Sequence, residues 1–405
     1  MEIQIELTIT THPDKETIDT DIIVLGGGIS GLWLLNEFRQ RGYHALLLEK
    51  NALGGEQTLS SQGMIHGGIK YALGGFTTPS SERIANMPMV WRDCLAGKGA
   101  LNLSQTNVLS DEYYLFSDGS LGSRITSFFG SKAIKARVSA LPRDEYTAPF
   151  SNPNFKGWIY KLQDLVIDTS SLLKTLQSMA DGHAFQGDPQ PIGQKPQQID
   201  YIQLDNGQRL RARIYVFAAG AGNASLLENL GVDSVKMQRR PLHQVMVCHK
   251  DLPSVYAHAV SMRAANKPRV TITTHASRDG TPVWYLGGNL AESGVNRSGP
   301  AQIQFARKEL SAIFPWLPFK DARWASFRVD RAEVTQKEML RPDQPFFKFI
   351  NNIVVCWPTK LTLVPMMANS VSAAVDLPLT NTLPGALPDL PFAEIADAPW
   401  EIYFD

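Results

Sequence analysis

The chain has 405 residues, above the length at which one hydrophobic core usually stops growing, so two domains with a ligand cleft between them are expected. Hydrophobic residues make up 43% and charged residues 19%, a globular composition that excludes extensive disorder. Lysine plus arginine balances aspartate plus glutamate at 39 each, which gives no global field toward nucleic acid or an anionic membrane; attraction for an anionic substrate has to be local.

Residues 3 to 9 alternate apolar and polar, which fits an edge strand or a loose leader. The first strong unit is an apolar run from Ile22 to Leu25, a glycine-rich turn, and Ile29, Leu32, Leu35 and Phe38 at helical spacing, closed by Gly42. A second apolar run, Ala45 to Leu48, ends on Glu49, so strand, helix and strand fill about 30 residues, the size of one βαβ unit. Residues 54 to 75 are rich in Gly, Ser and His and far exceed an idle connector of about 4 to 6 residues, so they are read as functional. From about 80 to 155 the pattern is mixed helix and loop with weak boundaries. Leu165 to Ile167 reads as a strand end, Asp168 and Thr169 as a polar cap, and Leu172, Leu173, Leu176 and Met179 as an amphipathic helix. Gly187 to Lys195 reads as a turn region, followed by strands near 201–204 and 214–218. Gln244 to Cys248, Val270 to Thr274 and Val283 to Leu286 predict a sheet outside the nucleotide unit, and a helix spans about 301–313. Ile353 to Cys356 predicts a buried strand leading to a helix with Pro365 in its first turn, and the Pro-rich residues from Leu377 onward are expected along the surface.

The turn DIIVLGGGISG places Gly26, Gly28 and Gly31 in the GxGxxG pattern between a strand and a helix. Such a turn brings backbone N–H groups and a helix N-terminus to a pyrophosphate. Glu49 lies about 20 residues on, at the end of the second strand, where a carboxylate accepts hydrogen bonds from a ribose hydroxyl. The unit by itself does not distinguish FAD from NAD. Cys94, Cys248 and Cys356 form no CxxC or Cys/His cluster, so no metal site and no disulfide framework are expected, and a reducing compartment is. No basic start precedes an apolar core and no run reaches roughly 18 apolar residues, so a cytoplasmic protein is expected, with a peripheral membrane contact left open.

Residues 58 to 71, TLSSQGMIHGGIKY, resemble the D-amino-acid oxidase superfamily, in particular flavin-linked glycerol-3-phosphate dehydrogenases and L-2-hydroxyglutarate dehydrogenases. Residues 165 to 176, RIYVFAAGAGNASLL (213 to 227) and WPTKLTLVPMMA (357 to 368) resemble further pieces of the same family, in family order. Trp357 and Pro358 stand where the relatives have glycines, and Lys70 where glycerol-3-phosphate dehydrogenases have arginine. The resemblance implies an α/β fold: a Rossmann-like FAD-binding domain, discontinuous over 20–78, 156–232 and 346–376, with a mixed α+β substrate domain over 79–155 and 233–345 and a tail over 377–405. The cofactor implied is FAD, held by Gly26, Gly28, Ile29, Ser30, Gly31, Glu49, Lys50, Ser60, Ser61, Gln62, Gly63, Val166, Ala219, Gly220, Lys360, Leu361 and Thr362.

For the chemistry the same resemblance points to three groups. Lys360 falls where a cation offsets the charge that builds on the reduced flavin. His66 is a candidate base for the proton lost as hydride leaves, with covalent FAD attachment and a structural role as alternatives. Arg328, with Arg331 as fallback and Lys70 nearby, suits the anionic group of a substrate, and His243 is a further candidate at the flavin. The expected activity is FAD-dependent removal of hydride from a small, anionic hydroxy compound or polyol phosphate, with the electron acceptor open between oxygen, quinone and protein. An amino-acid or amine oxidase and a non-catalytic flavin-binding subunit are the alternatives.

Overall fold

The computed structural model describes residues 17–68, 84–117, 138–260, 268–337, 342, 344–379 and 386–404; the alternating run at 3–9 and Lys70 lie outside the described residues. Strand β1 (Thr17–Leu25) enters the glycine turn, α1 (Ile29–Gln40) leaves it, Gly42 at φ 89° ends that helix, and β2 (Ala45–Glu49) returns parallel to β1. Next come β3 (Met64–Ile65), α2 (Met87–Leu95), β4 (Val108–Ser110), β5 (Tyr113–Ser117), β6 (Val138–Ala140), β7 (Ile159–Leu162) and β8 (Leu165–Ile167). The Asp168 carboxylate accepts from the backbone N–H groups of Ser170 and Ser171 at 3.2 and 3.1 Å and so starts α3 (Thr169–Met179). There follow β9 (Ala184–Gln186), β10 (Gln190–Ile192), β11 (Tyr201–Gln203), β12 (Arg209–Phe217) and α4 (Asn223–Asn229). Then come β13 (Met237–Cys248), β14 (Ala257–Val260), β15 (Val270–Ala276), β16 (Pro282–Gly287), α5 (Asn289–Glu292), α6 (Gly299–Ile313) and β17 (Arg323–Val334). The chain closes with β18 (Phe346–Ile350), β19 (Ile353–Trp357), α7 (Val364–Ala374) and α8 (Pro399–Phe404).

In the first sheet β1 lies between β2 and β12, all parallel; β9 extends it beyond β2 and β19 beyond the far end of β12, while β10, β11 and β18 pair antiparallel. The chain leaves β1 toward β2 and returns later on the other side, so the turn after β1 is a topological switch point, where open α/β sheets bind ligands. Both faces of this sheet are covered, which is why its central strands read as continuous apolar runs. Ile22 and Val24 pack with Leu35, Leu176 and Met367 on one face, and Ile23 and Leu25 with Leu227, Leu230 and Val232 on the other.

The second sheet runs β17-β13-β16-β15-β14-β5-β7-β6 and is antiparallel apart from the β14–β5 pair. Helix α6 covers one of its faces through Ala306, Leu310 and Ile313, which pack on Val245, Val247 and Trp284. A small third sheet, β3-β8-β4, belongs to residues 64–65, 108–110 and 165–167. Among the described residues no helix is long and apolar enough to cross a membrane.

The end of the chain departs from the surface run expected of its prolines. Ala393, Ala398, Trp400 and Phe404 are buried, Trp400 stacks on His275 at 3.8 Å and 16°, and Tyr403 stacks on Phe327 at 5.7 Å and 18°. Proline confines the backbone of this segment without preventing its aromatic groups from completing the core. Trp400→Ala therefore is expected to lower the free energy of unfolding by about 3–5 kcal/mol in urea titration, the cost of an emptied aromatic site; a loss below 1 kcal/mol would return α8 to the surface. The stack also makes His275 resist protonation, because burial pulls its pKa down from 6.5 to about 3. The unfolded chain takes up that proton near its ordinary pKa, so stability is lost as pH falls from about 6.5 toward 3, at up to about 1.4 kcal/mol per pH unit. Between pH 7 and pH 5 the wild type is accordingly expected to lose more unfolding free energy than His275→Phe, and equal losses would remove His275 as the cause.

Candidate functional site

The turn after β1 is built by two kinds of glycine. A side chain at Gly31 would place its Cβ 1.9 Å from the carbonyl oxygen of Gly26, and one at Gly26, whose φ is 109°, would meet Ala219 Cα at 2.4 Å, so both are demanded by protein packing. At Gly28 the nearest atom to such a Cβ is Thr58 Oγ1 at 3.4 Å, an ordinary contact. Protein packing leaves that position open, and it is the N-cap of α1, a 12-residue helix whose N-cap residue supplies no side-chain hydrogen bond. The Ile29 N–H donates to Thr58 Oγ1 at 3.0 Å, and Ser30 is buried in the first turn. The Glu49 carboxylate accepts from the backbone N–H of Gly27 at 2.6 Å and of Asn51 at 2.9 Å, which sets it beside the turn. Lys50 points outward to Asp188 at 2.8 Å. Ala219 and Gly220, after β12, close the turn from the other side, and Trp357 donates through Nε1 to the Gly220 carbonyl at 2.9 Å.

Residues 58–68 cross from this turn to the second sheet. Gly63, at φ 65°, would carry a Cβ 2.1 Å from Ile167 O, and Met64 pairs with Val166, so the segment is laid tightly along β8. Ser61 Oγ accepts from the Gly63 N–H at 3.4 Å, and the Ser60 carbonyl accepts from Tyr285 Oη at 2.6 Å. The Gln62 carboxamide donates to Tyr285 O at 2.8 Å, Thr273 Oγ1 at 3.3 Å and Thr271 O at 3.4 Å, and lies where a side chain on Gly287 would be. His66 is 4% exposed; its carbonyl accepts from Thr362 Oγ1 at 3.2 Å, and the next N–H, of Gly67, donates to the buried Asp164 at 2.8 Å. Lys360 opens a short 3₁₀ turn, Leu361–Leu363, just before α7, Leu361 packs at the edge of the core, and the Thr362 carbonyl accepts from Trp91 Nε1 at 3.1 Å. His66 and the 360–362 turn, far apart in sequence, are thus in direct contact.

The substrate candidates divide by sheet face. His243 and Arg328 are paired across β13 and β17, on the face of Val245 and Val247 that α6 covers. His243 contacts the Gly294 carbonyl at 3.0 Å and Ser326 Oγ at 3.2 Å, and Arg328 donates to the Arg297 carbonyl at 2.6 Å. Both are therefore turned away from Gln62 and His66, because strand alternation puts them opposite Tyr285 and Phe327; this corrects the expectation that they meet a substrate at the flavin. Arg331, three residues on, falls on the opposite face from Arg328 and donates to Glu292 Oε1 at 3.3 Å. Burial lowers its pKa, the nearby Arg240 guanidinium adds to that, and Glu292 and Glu333 oppose it. Asp164, Tyr113 and His258 escaped sequence reasoning. Tyr113, whose pKa burial and the Asp164 charge both push up, donates to Ile272 O at 3.2 Å and lies 4.7 Å from the His258 ring. None of the three stands in a motif; only Asp164, just before the LVIDT strand end, carried a positional signal.

A glycine turn at a switch point, a carboxylate at the end of the second strand and a polar segment pinned under a second sheet define a dinucleotide-binding oxidoreductase. The model of the family described as DAO, FAD dependent oxidoreductase, matches residues 21–356, and the chain belongs to that family. It is 43% identical over 391 residues to the probable FAD-dependent oxidoreductase PA4991 of Pseudomonas aeruginosa, covering 96% of this chain and 99% of that protein. The crystal structure of that protein superposes with a TM-score of 0.82 at 38% identity over 96% of this chain and 99% of the other. Glycine oxidase from Geobacillus kaustophilus (TM-score 0.63, 15% identity, 90% of this chain and 100% of that one) shares the fold. So does L-alpha-glycerophosphate oxidase from Mycoplasma pneumoniae (0.62, 13%, 87% and 93%).

The protein is an FAD-dependent oxidoreductase, and the residues present fit the cofactor: the open position at Gly28, the N-terminus of α1 and the Glu49 carboxylate supply approach, partial positive charge and a hydroxyl acceptor. Gly28→Val is expected to leave the apoprotein melting temperature nearly unchanged while lowering FAD bound per chain, read from flavin absorbance after gel filtration. Full retention of flavin would show that this opening is not where the pyrophosphate lies.

Proposed function

We propose that the chain oxidises a small polar hydroxy compound, of the hydroxy-acid or polyol-phosphate class, at the carbon bearing the hydroxyl. The observation that carries this reading is the buried imidazole of His66 on a segment fixed at Gly63, Gly67 and Thr362. Removing hydride from an alcohol carbon requires the hydroxyl proton to leave as well, and an alcohol holds that proton far above neutral pH; an imidazole takes it up near pH 7. An amine can enter its neutral form in water and needs no such base. Bound FAD supplies the electron sink for the hydride. His66 removes the hydroxyl proton, and the Gly67–Asp164 and Thr362–His66 hydrogen bonds hold the backbone that carries its ring. Lys360 offsets negative charge near the 361–363 turn. Arg331, on the face shared with Tyr285 and Phe327, takes the anionic group in place of Arg328, as a planar guanidinium suits a carboxylate or phosphate.

Anaerobic mixing with hydroxy acids, polyol phosphates and amino acids tests the reading. Bleaching of the flavin by a hydroxy compound is expected, and His66→Ala, with its FAD retained, should reduce flavin about 10²–10⁴-fold more slowly. Bleaching by amino acids alone, or an unchanged rate in His66→Ala, overturns it.

A further inference from the structure

The face of the second sheet that meets residues 58–68 carries one polar row across its strands. His258 on β14 and Thr271 on β15 are paired and joined Nδ1 to Oγ1 at 2.9 Å, and Thr271 pairs with Gly287 on β16. The register Val245↔Leu286, carried one step on, sets Gln244 of β13 beside Gly287, and Gln244 pairs with Phe327 of β17. Gly287 contributes no side chain, and the Gln62 carboxamide takes that space, its Oε1 2.3 Å from where a Cβ would be. Gln62 is the residue that ties the segment of His66 to the sheet, so the row lies along the proposed reaction site.

Gln244 stands out within it. The residue is 4% exposed, and its Oε1 accepts no hydrogen bond from any described residue. A buried carbonyl left without a donor lowers stability, and a methionine of similar length beside Phe327 would carry no such cost. A position that keeps an amide there is matched to a donor that arrives with a ligand. A neutral acceptor oxygen attracts a hydroxyl hydrogen and repels carboxylate and phosphate oxygens, so it sorts substrates by what they donate.

We propose that Gln244 is a specificity-determining residue whose carbonyl oxygen accepts a hydrogen bond from a substrate hydroxyl. The hydroxyl partner rests on the function proposed above; the assignment of Gln244 to a ligand rests on its burial and its lone acceptor. Two readouts on FAD-loaded Gln244→Met separate them. The first needs no substrate: the melting temperature should equal or exceed that of the wild type, and a lower one would show an amide satisfied within the fold and overturn the proposal. The second uses glycerol 3-phosphate, glycerol, L-lactate and L-2-hydroxyglutarate as probes in anaerobic flavin reduction. KM for the compound the wild type oxidises best should rise about tenfold to a hundredfold, the worth of one hydrogen bond, with kcat little changed and FAD content intact. An unchanged KM in Gln244→Met, or FAD lost from it, overturns the proposal. Reduction of the wild-type flavin by no hydroxy compound overturns the function proposed above and the hydroxyl partner with it, while the melting temperature still decides whether Gln244 serves a ligand.

Discussion

The hydrogen bonds of the Gln62 carboxamide to Thr271, Thr273 and Tyr285, over the bare backbone of Gly287, hold the two halves of the molecule in one register. Residues 58–68 belong to the nucleotide-binding half through Thr58 and to the small sheet through Gly63, and Gln62 fastens them to the second sheet. A side chain at position 287 would displace the carboxamide, so this one glycine decides whether the segment can lie flat against the strands. With the segment fixed at both ends, His66 is set by backbone bonds at Gly67 and at its own carbonyl rather than by a flexible loop. Catalysis by positioned groups depends on that kind of rigidity, since a displacement of an ångström costs large factors in rate.

The glycine turn separates packing from binding. Gly26 and Gly31 are needed to bring β1, α1 and the Ala219 turn together, whatever lies outside them, whereas Gly28 meets almost nothing of the protein. Past the Ile29 N–H, which Thr58 accepts, the first turn of the helix beside it presents backbone N–H groups to an anion, the arrangement on which dinucleotide sites rely. The same economy appears at the other end of the chain, where Trp400 and Tyr403 close the core by stacking on His275 and Phe327 of the second sheet. The C-terminal helix is thereby part of the wall behind Tyr285, a residue that also holds Ser60.

Periodicity made much of the fold legible. The unit β1–α1–β2, the Asp168 cap and α3, the strands around 244–248, 270–274 and 283–286, and α7 with its early proline all follow from spacing, caps and apolar runs that need only neighbouring residues. Where partners come from afar the pattern was weaker. β10 lies inside a stretch that reads as a turn, because its register is imposed by β11, and the 12-residue β17 gains its length from pairing with β13 along its whole extent.

The sequence by itself determined the class of protein and its cofactor, because a glycine turn and the segments around His66, Ala219 and Lys360 keep their order and local chemistry along the chain. Which side chains share a wall was decided only by tertiary structure. Arg328 and Arg331 look equivalent in SFRVDR, yet odd spacing in a strand sends them to opposite faces, and only the packing of α6 tells which face is covered. Tyr113, Asp164, His258 and Gln244 come from separate strands and loops and carry no motif among them. Sheet register brings Tyr113, His258 and Gln244 to one side, and one of its pairings, β14 with β5, joins residues more than a hundred positions apart.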